Sequence, residues 1–310
     1  MIILRSTSGM RKKRRPVCLA LGFFDGVHKG HRKVIDAAVR CARRTGGEAW
    51  VMTFDSHPMK VLSPVKAPLL LTCNRHKLSI LGGMDIDGCV LEPFNRKLAG
   101  RSPEEFVKKL VRDIPSLSRI FIGKNWRFGK NQSGDAVLMS RLGKKMGFSV
   151  TVVSPVKRKG KIISSTRIRR EILAGNLKEA EAQTGHPFSI MGRVVKGRGI
   201  GRRIGFPTAN LRTENEVIPP RGVYAVRAGF PGKKKLFDGV LNIGYRPTFS
   251  SKCREKKSLS IELHMIGVKT MVYQKTIEVF FIRKIRGEKK FSSVEKLAER
   301  IALDLKTVQK

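Results

Sequence analysis

Acidic residues are scarce in this sequence. Asp and Glu total 24 against 64 Lys and Arg, a formal charge of +40 over 310 residues. Such a field draws phosphates, on nucleotides or on nucleic acid, and equally suits a chain that is basic on every solvated face. The basic residues are dispersed apart from RKKRR at 11–15 and KKK at 233–235, so charge alone marks no site. Aromatic residues are also few, at 7%. No aromatic platform for stacking RNA bases stands out, and no specific nucleic-acid partner is expected. No apolar run approaches the roughly 18–20 residues of a membrane helix, so no membrane partner is expected either. The basic 11–15 followed by PVCLALGFF imitates a leader peptide, but Asp25 stops the run and no small-residue cleavage site follows in register. Residues 1–15 therefore read as a frayed basic lead-in to a buried strand at 17–22. The five cysteines, Cys18, Cys41, Cys73, Cys89 and Cys253, are odd in number and form no C-x-x-C. That argues against a disulfide framework or zinc site and for reduced thiols in a cytoplasm.

What is present is an ordinary globular composition, 41% hydrophobic and 28% charged, at a length that suits two domains. Up to residue 185, apolar strands alternate with amphipathic helices. Strands are expected at 17–22, 49–54, 88–91, 119–123 and 149–153. Helices are expected at 31–44, 74–81, 103–112, 135–145, 166–174 and 177–183. Alternation of this kind predicts a parallel sheet covered by helices, with short Gly/Pro/Ser connections. From Phe188 the pattern changes to short β-branched runs between turns: SIMGRVV, GVYAVRAG, FDGVLNIG, LSIELHMIG and TIEVFFIRKI. Period-2 alternation predicts an antiparallel sheet or small barrel, and 293–305 a terminal helix. The boundary falls near 185–187, giving domains 1–185 and 186–310. Monomer or weak homo-oligomer is the expected state.

The segment after the first strand reads LGFFDGVHKGH. Ligands of open α/β sheets sit beyond the carboxyl ends of strands, where a glycine turn and a helix N-terminus receive an anion. His28 and His31, three apart at that helix start, share a face and suit the charge that develops when a phosphoryl group is attacked. Alone, such a pair reads rather as structural or solvent-facing. Downstream, IISSTRIRR places hydroxyls (Ser164, Ser165, Thr166) at a helix start, with Arg167 and Arg169 as fixed charge. Alone, it also reads as an ordinary N-cap with a basic helix face.

In the second half, VVKGRGIGRRIGFPTANL carries Gly197, Gly199, Gly201 and Gly205, whose backbone could form an anion nest. Thr208 offers a hydroxyl and Asn210 a carbonyl oxygen, both natural magnesium ligands. They share a face if the chain is extended there. Glu262, in the alternating SLSIELHM, can accept a proton from an attacking hydroxyl. From periodicity alone it reads rather as a surface salt-bridge partner.

Taken in order, these segments carry a resemblance. GFFDGVHKGH and ISSTRIRR resemble the HxGH nucleotidyltransferases. TFDSHP at 53–58, EPFNRKLAGRSPEEFV at 92–107 and IGKNWRFGKNQSGD at 122–135 resemble the adenylyltransferase module of bacterial bifunctional riboflavin kinase/FAD synthetases. GFPTANL, RGVYAV, GVLNIGYRPTF, IELH and IRGEKKFSS resemble, in the same order, that family's riboflavin kinase module. The resemblance spans roughly 16–305. It implies a Rossmann-like α/β domain followed by an antiparallel β-barrel with a terminal helix, acting on riboflavin, FMN and ATP with Mg²⁺ and releasing FMN and FAD.

It further implies that His28 and His31 stabilise the reacting α-phosphate. Gly22, Phe24, Asp25, Gly26, Gly30, Asn125, Ser164, Ser165, Thr166 and Arg169 would complete that ATP site. In the kinase module, Gly199, Gly201, Arg203, Gly205, Pro207, Thr208 and Asn210 would hold ATP, Thr208 and Asn210 with the metal. Glu262 would be the base, and Asn242, Arg286 and Phe291 would line the flavin. The chain departs from the family where Phe23 replaces the usual Asn and Ser56 the usual Pro. MIGVKTMVYQK stands where an acidic stretch usually follows the glutamate. An RNA-binding protein on a relic catalytic fold, and a kinase whose adenylyltransferase half has decayed at Phe23, are the rival readings of the sequence.

Overall fold

The structure is a computed structural model describing residues 1–197, 205–246, 258–268, 273–289 and 291–308. Its contacts divide into two compact units. One holds Met1–Leu70 and Asn74–Ser165, the other Leu71–Cys73 and Thr166–Lys310.

The first unit is built on a parallel sheet of β1 (Ile2–Leu4), β2 (Val17–Leu21), β3 (Glu48–Phe54), β4 (Gly88–Glu92), β5 (Leu117–Gly123) and β6 (Ser149–Val153). The strand order is β1-β4-β3-β2-β5-β6. A parallel strand covered on both faces needs an unbroken apolar run, and β2, VCLAL, is buried at every residue. Its side chains divide by the pleat. Val17, Leu19 and Leu21 enter one core with Trp50, Phe106 and Ile120, while Cys18 and Ala20 enter the other with Ile35, Val51 and Leu81. The helices are α1 (Lys29–Arg44), α2 (Pro58–Leu62), α3 (Asn74–Gly82), α4 (Arg96–Ala99), α5 (Pro103–Asp113) and α6 (Ala136–Met146). A two-strand hairpin follows, β7 (Lys157–Arg158) and β8 (Lys161–Ile162); α7 (Ser165–Leu173) and α8 (Leu177–Thr184) come next in the chain and, after Ser165, belong to the second unit.

The amino-terminal segment is not the frayed lead-in that the sequence suggests. β1 pairs with β4 from Ile2↔Gly88 to Leu4↔Val90. A 3-10 turn at Thr7–Met10 then buries Met10 completely. The Thr7 amide donates to Glu92 Oε2 at 2.9 Å and its hydroxyl to Asp113 Oδ2 at 2.7 Å. These partners lie 85 and 106 residues away, so no local pattern announces the docking.

The second unit is a closed barrel of β9 (Ser189–Val195), β10 (Ala209–Thr213), β11 (Gly222–Gly229), β12 (Leu236–Arg246), β13 (Ser258–Met265) and β14 (Thr276–Arg286). The order β10-β13-β12-β11-β14-β9 closes through antiparallel β9–β10 pairs. Tyr224 is wholly buried, edge-on to Phe281 at 5.3 Å, and its hydroxyl donates to the Pro220 carbonyl. The terminal helix α9 (Val294–Lys306) starts at an N-cap whose Ser293 hydroxyl accepts from the Lys296 amide.

Candidate active sites

In the first unit, the chain leaves β2 and turns through residues that favour glycine geometry. Phe24 (φ 51°), Gly26 (φ 77°) and Val27 (φ 39°) all have positive φ. Two non-glycine residues in the left-handed region mark stored strain, which persists only where packing over-determines it. Phe24 and Val27 are indeed buried, at 2% and 0% exposure. A side chain at Gly22 would meet the Phe24 ring at 2.7 Å, so glycine is required there.

The turn delivers His28 to the N-cap of α1. Its Nδ1 accepts the His31 amide at 3.2 Å. A nitrogen that accepts cannot carry the proton, so the neutral ring bears it on Nε2 and offers a donor there. His31 stacks on His28 with centroids 3.6 Å apart and planes 16° apart. Burial lowers the His28 pKa to about 4. Burial, then the neighbouring His28 and Lys77, push His31 well below the usual imidazole range. Both rings are neutral at pH 7 and act as hydrogen-bonding groups rather than charges. His31 Nδ1 is buried without a hydrogen-bond partner among the described residues, which is costly unless a ligand satisfies it.

Ser165 comes to the same turn, its hydroxyl donating to the Asp25 carbonyl at 3.0 Å. Gly30 lies in the first turn of α1, and Asp25 is buried at 3% exposure. Asn125 is exposed in the connection after β5, followed by the stacked rings of Trp126 and Phe128, 4.7 Å apart. β5 adjoins β2, and the strand order reverses between them, where open α/β sheets bind ligands. Ser164 is half-buried and Thr166 exposed. On α7, Arg167 pairs with Glu179 at 3.4 Å, and Arg169 is half-buried. The sequence reading missed Lys77, buried within α3, because RHKLS looks like any solvated helix face.

In the second unit, register does the positioning. Asn210 stands opposite Glu262, Glu262 opposite Asn242, Asn242 opposite Val223, and Val223 opposite Arg286. Directly opposed residues of an antiparallel sheet share a face, so polar residues from separate sequence motifs form one lateral row. A cavity of about 350 Å³ is lined by Thr208, Val223, Val240, Asn242, Glu262, His264, Arg286, Phe291, Leu297 and Ile301, among others. Its apolar lining with a few convergent polar groups is that of a small-molecule pocket.

Ser260 donates to Glu262 Oε1 at 3.1 Å. His264 Nδ1 lies 2.8 Å from the Pro207 carbonyl. A carbonyl only accepts, so Nδ1 carries the proton and holds the residue before Thr208. His264 was also missed, although its two-residue offset from Glu262 signals a shared face. Asn210 Oδ1 is buried with no partner among the described residues. The orphaned Asn210 amide oxygen and the Thr208 hydroxyl are hard-oxygen donors of the kind a magnesium ion takes. Arg286 is held rigidly. Its Nε and Nη2 donate to Asp304 Oδ2 at 2.9 and 2.7 Å and its Nη1 to the Gly287 carbonyl at 3.1 Å. Its guanidinium lies 5.7 Å from the Phe291 ring centroid. Gly205 (φ 82°) and Pro207 lead into β10, whereas Gly199, Gly201 and Arg203 lie outside the described residues.

A helix-tip turn with paired imidazoles on an α/β sheet, joined in one chain to a barrel with a carboxylate-lined cavity, defines a two-module transferase acting on nucleotide phosphates. Residues 10–167 match the family described as FAD synthetase and residues 184–310 the family described as riboflavin kinase. The bifunctional riboflavin kinase/FMN adenylyltransferase of Escherichia coli (strain K12) is 35% identical over 305 residues, 98% of this chain and 96% of its own. Its Bacillus subtilis (strain 168) namesake is 35% identical over 298 residues, 95% and 92% of the two chains. A solved structure from Streptococcus pneumoniae, named as a macrolide-efflux protein, shares the fold with a TM-score of 0.84 at 28% identity, covering 100% of this chain and 98% of that one. Among the described residues no helix is long and apolar enough to cross a membrane. The chain belongs to the bifunctional riboflavin kinase/FMN adenylyltransferase family.

Proposed function

We propose that this chain makes FAD from riboflavin in two steps at two separate pockets, one in module 1–185 and one in module 186–310. In the barrel, Glu262 takes the proton of the riboflavin 5′-hydroxyl. The oxygen attacks the γ-phosphorus of ATP, and ADP leaves. Thr208 and Asn210 would hold Mg²⁺, which when bound neutralises charge on the phosphates. Gly205 and Pro207, with Gly199, Gly201 and Arg203, would border the nucleotide. Asn242, Arg286 and Phe291 face the flavin.

In module 1–185, a phosphate oxygen of FMN attacks the α-phosphorus of ATP and pyrophosphate leaves. A phosphate monoester is already nucleophilic, so no protein base is needed. His28 Nε2–H and His31 stabilise the α-phosphate, Ser164, Ser165, Thr166 and Arg169 hold the phosphates, and Asn125 contacts the substrates. Free thiols at Cys18, Cys41, Cys73 and Cys89 suit a reducing cytoplasm, and we take the protein as a monomer or weak homo-oligomer.

The observation that carries this reading is the row Asn210–Glu262–Asn242 beside the cavity, together with family matches over both modules. Incubation of the purified protein with riboflavin, ATP and Mg²⁺, with flavins separated over time, tests it. FMN should rise first and FAD follow, with one pyrophosphate released per FAD. FMN alone would leave only the kinase half of the proposal, and no flavin product would end it.

A further inference from the structure

Lys77 is a charged residue that the proposed chemistry does not use, and it is 2% exposed. Among the described residues it has no carboxylate within ion-pair distance, so its burial carries a desolvation cost that an apolar side chain would avoid. Its ammonium donates instead to three oxygens: the Phe54 carbonyl at 2.8 Å, the Phe23 carbonyl at 3.2 Å and Thr53 Oγ1 at 3.3 Å. The Thr53 hydroxyl donates in turn to the Phe23 carbonyl at 2.7 Å. The Phe23 ring lies over the ammonium, 4.5 Å from centroid to Nζ, and is edged by His57 at 4.8 Å. The groups facing Lys77 at longer range are Asp25 in the turn, Asp55 after β3, Cys89 in β4 and His31 in α1.

Three acceptors match all three N–H bonds of an ammonium. A neutral amine has only two and could keep all three contacts only by drawing the Thr53 hydroxyl away from the Phe23 carbonyl. The charged form makes the fuller set of bonds, and it clamps the first residues beyond β2 to the end of β3. Those residues open the strained turn that delivers His28. It also changes the meaning of Phe23. The side chain departs from the family, but the backbone carbonyl at this position is held by two donors, and the ring covers the cation.

We propose that Lys77 is a positioning residue of the adenylyl-transfer site, its ammonium pinning the Phe23 carbonyl to the end of β3 and so fixing the turn that carries His28. The inference rests on the assignment of FMN adenylylation to this site. Burial lowers the Lys77 pKa to about 8, with Asp25, Cys89 and Asp55 opposing, so the clamp should loosen on the alkaline side.

The test compares wild type, Lys77→Met, Lys77→Arg and His28→Ala for FMN-to-FAD conversion from pH 6 to 10, with riboflavin phosphorylation by the same preparations alongside. Lys77→Met should lower kcat for FAD formation by about 10- to 100-fold with little change in KM for FMN and an unchanged kinase rate. The wild-type rate should fall on an alkaline limb that Lys77→Met lacks and Lys77→Arg moves to higher pH. A wild-type kcat and pH profile in Lys77→Met would overturn the proposal. Should Lys77→Met fail to fold, an alkaline limb left in place by Lys77→Arg would overturn it equally. If His28→Ala leaves FAD formation intact, the site assignment itself has failed. If only Lys77→Met does so, the clamp alone has failed.

Discussion

His28 divides its work between its two nitrogens: Nδ1 caps α1, which leaves the proton of the neutral ring on Nε2. Its lowered pKa, about 4 from burial, has a consequence for activity. Protonation would put hydrogen on Nδ1 and break the cap, so the neutral ring is the working form. The acid limb that His28 imposes on FMN adenylylation should therefore fall near pH 4 rather than near the ordinary imidazole value. A pH–rate profile for FAD formation from added FMN checks this, and an acid limb near 6.5 would contradict it. At this scale the sequence was partly readable. The spacing of His28 and His31 signalled a shared face, and Ser165 stood in a recognisable motif. Lys77 carried no local sign of its role, because a carbonyl acceptor supplied by another segment leaves no trace in composition. His264 carried one, its two-residue offset from Glu262, but the Pro207 carbonyl it meets lies 57 residues away.

Secondary-structure elements were readable in proportion to their length and burial. β2 to β6 are apolar runs, and α1, α3, α5 and α6 carry helical periodicity, so each lies close to its expected place. β1 is a three-residue edge strand, and the polar ANLRT of β10 shows no clear alternation, so neither stood out. The docking of the amino terminus depends on Asp113. Burial pushes that carboxyl up, but hydrogen bonds from Lys109 and Thr7 outweigh it and hold the pKa at about 2. Its contribution to stability is complete above the ordinary carboxylate pKa and is lost as pH falls toward 2. Asp113→Asn should destabilise the first unit by about 1.5–3 kcal/mol, the scale of hydrogen bonds to a charged group, measured by denaturant unfolding at pH 7. At the other end of the chain, α9 is tied to β14 by Asp304, 2% exposed, which holds both Arg286 and Arg300. Asp304→Asn should release Arg286 into the cavity wall and raise the KM for riboflavin by about tenfold, while FMN adenylylation stays at its wild-type rate. Steady-state kinetics of both steps distinguish the two effects.

For the whole molecule, composition bounded the answer without giving it. A charge of +40 is compatible with many phosphate ligands, and it says nothing about where they bind. The change of period near residue 185 was the readable feature, because a parallel sheet and an antiparallel barrel write different patterns. Barrel closure and the cross-strand row were not readable, since register is fixed by pairing between segments far apart in sequence. The rival reading of a decayed first half turns on Phe23, where the backbone carbonyl remains held by Lys77 and Thr53. The central claim is that two chemistries run at two independent pockets. The most direct measurement is the rate of each step in Glu262→Gln and in His28→Ala. Glu262→Gln should cut FMN formation from riboflavin by roughly 100-fold or more and leave FMN-to-FAD conversion untouched, and His28→Ala should do the reverse. Equal loss of both steps in either variant, with the fold intact, would contradict the account.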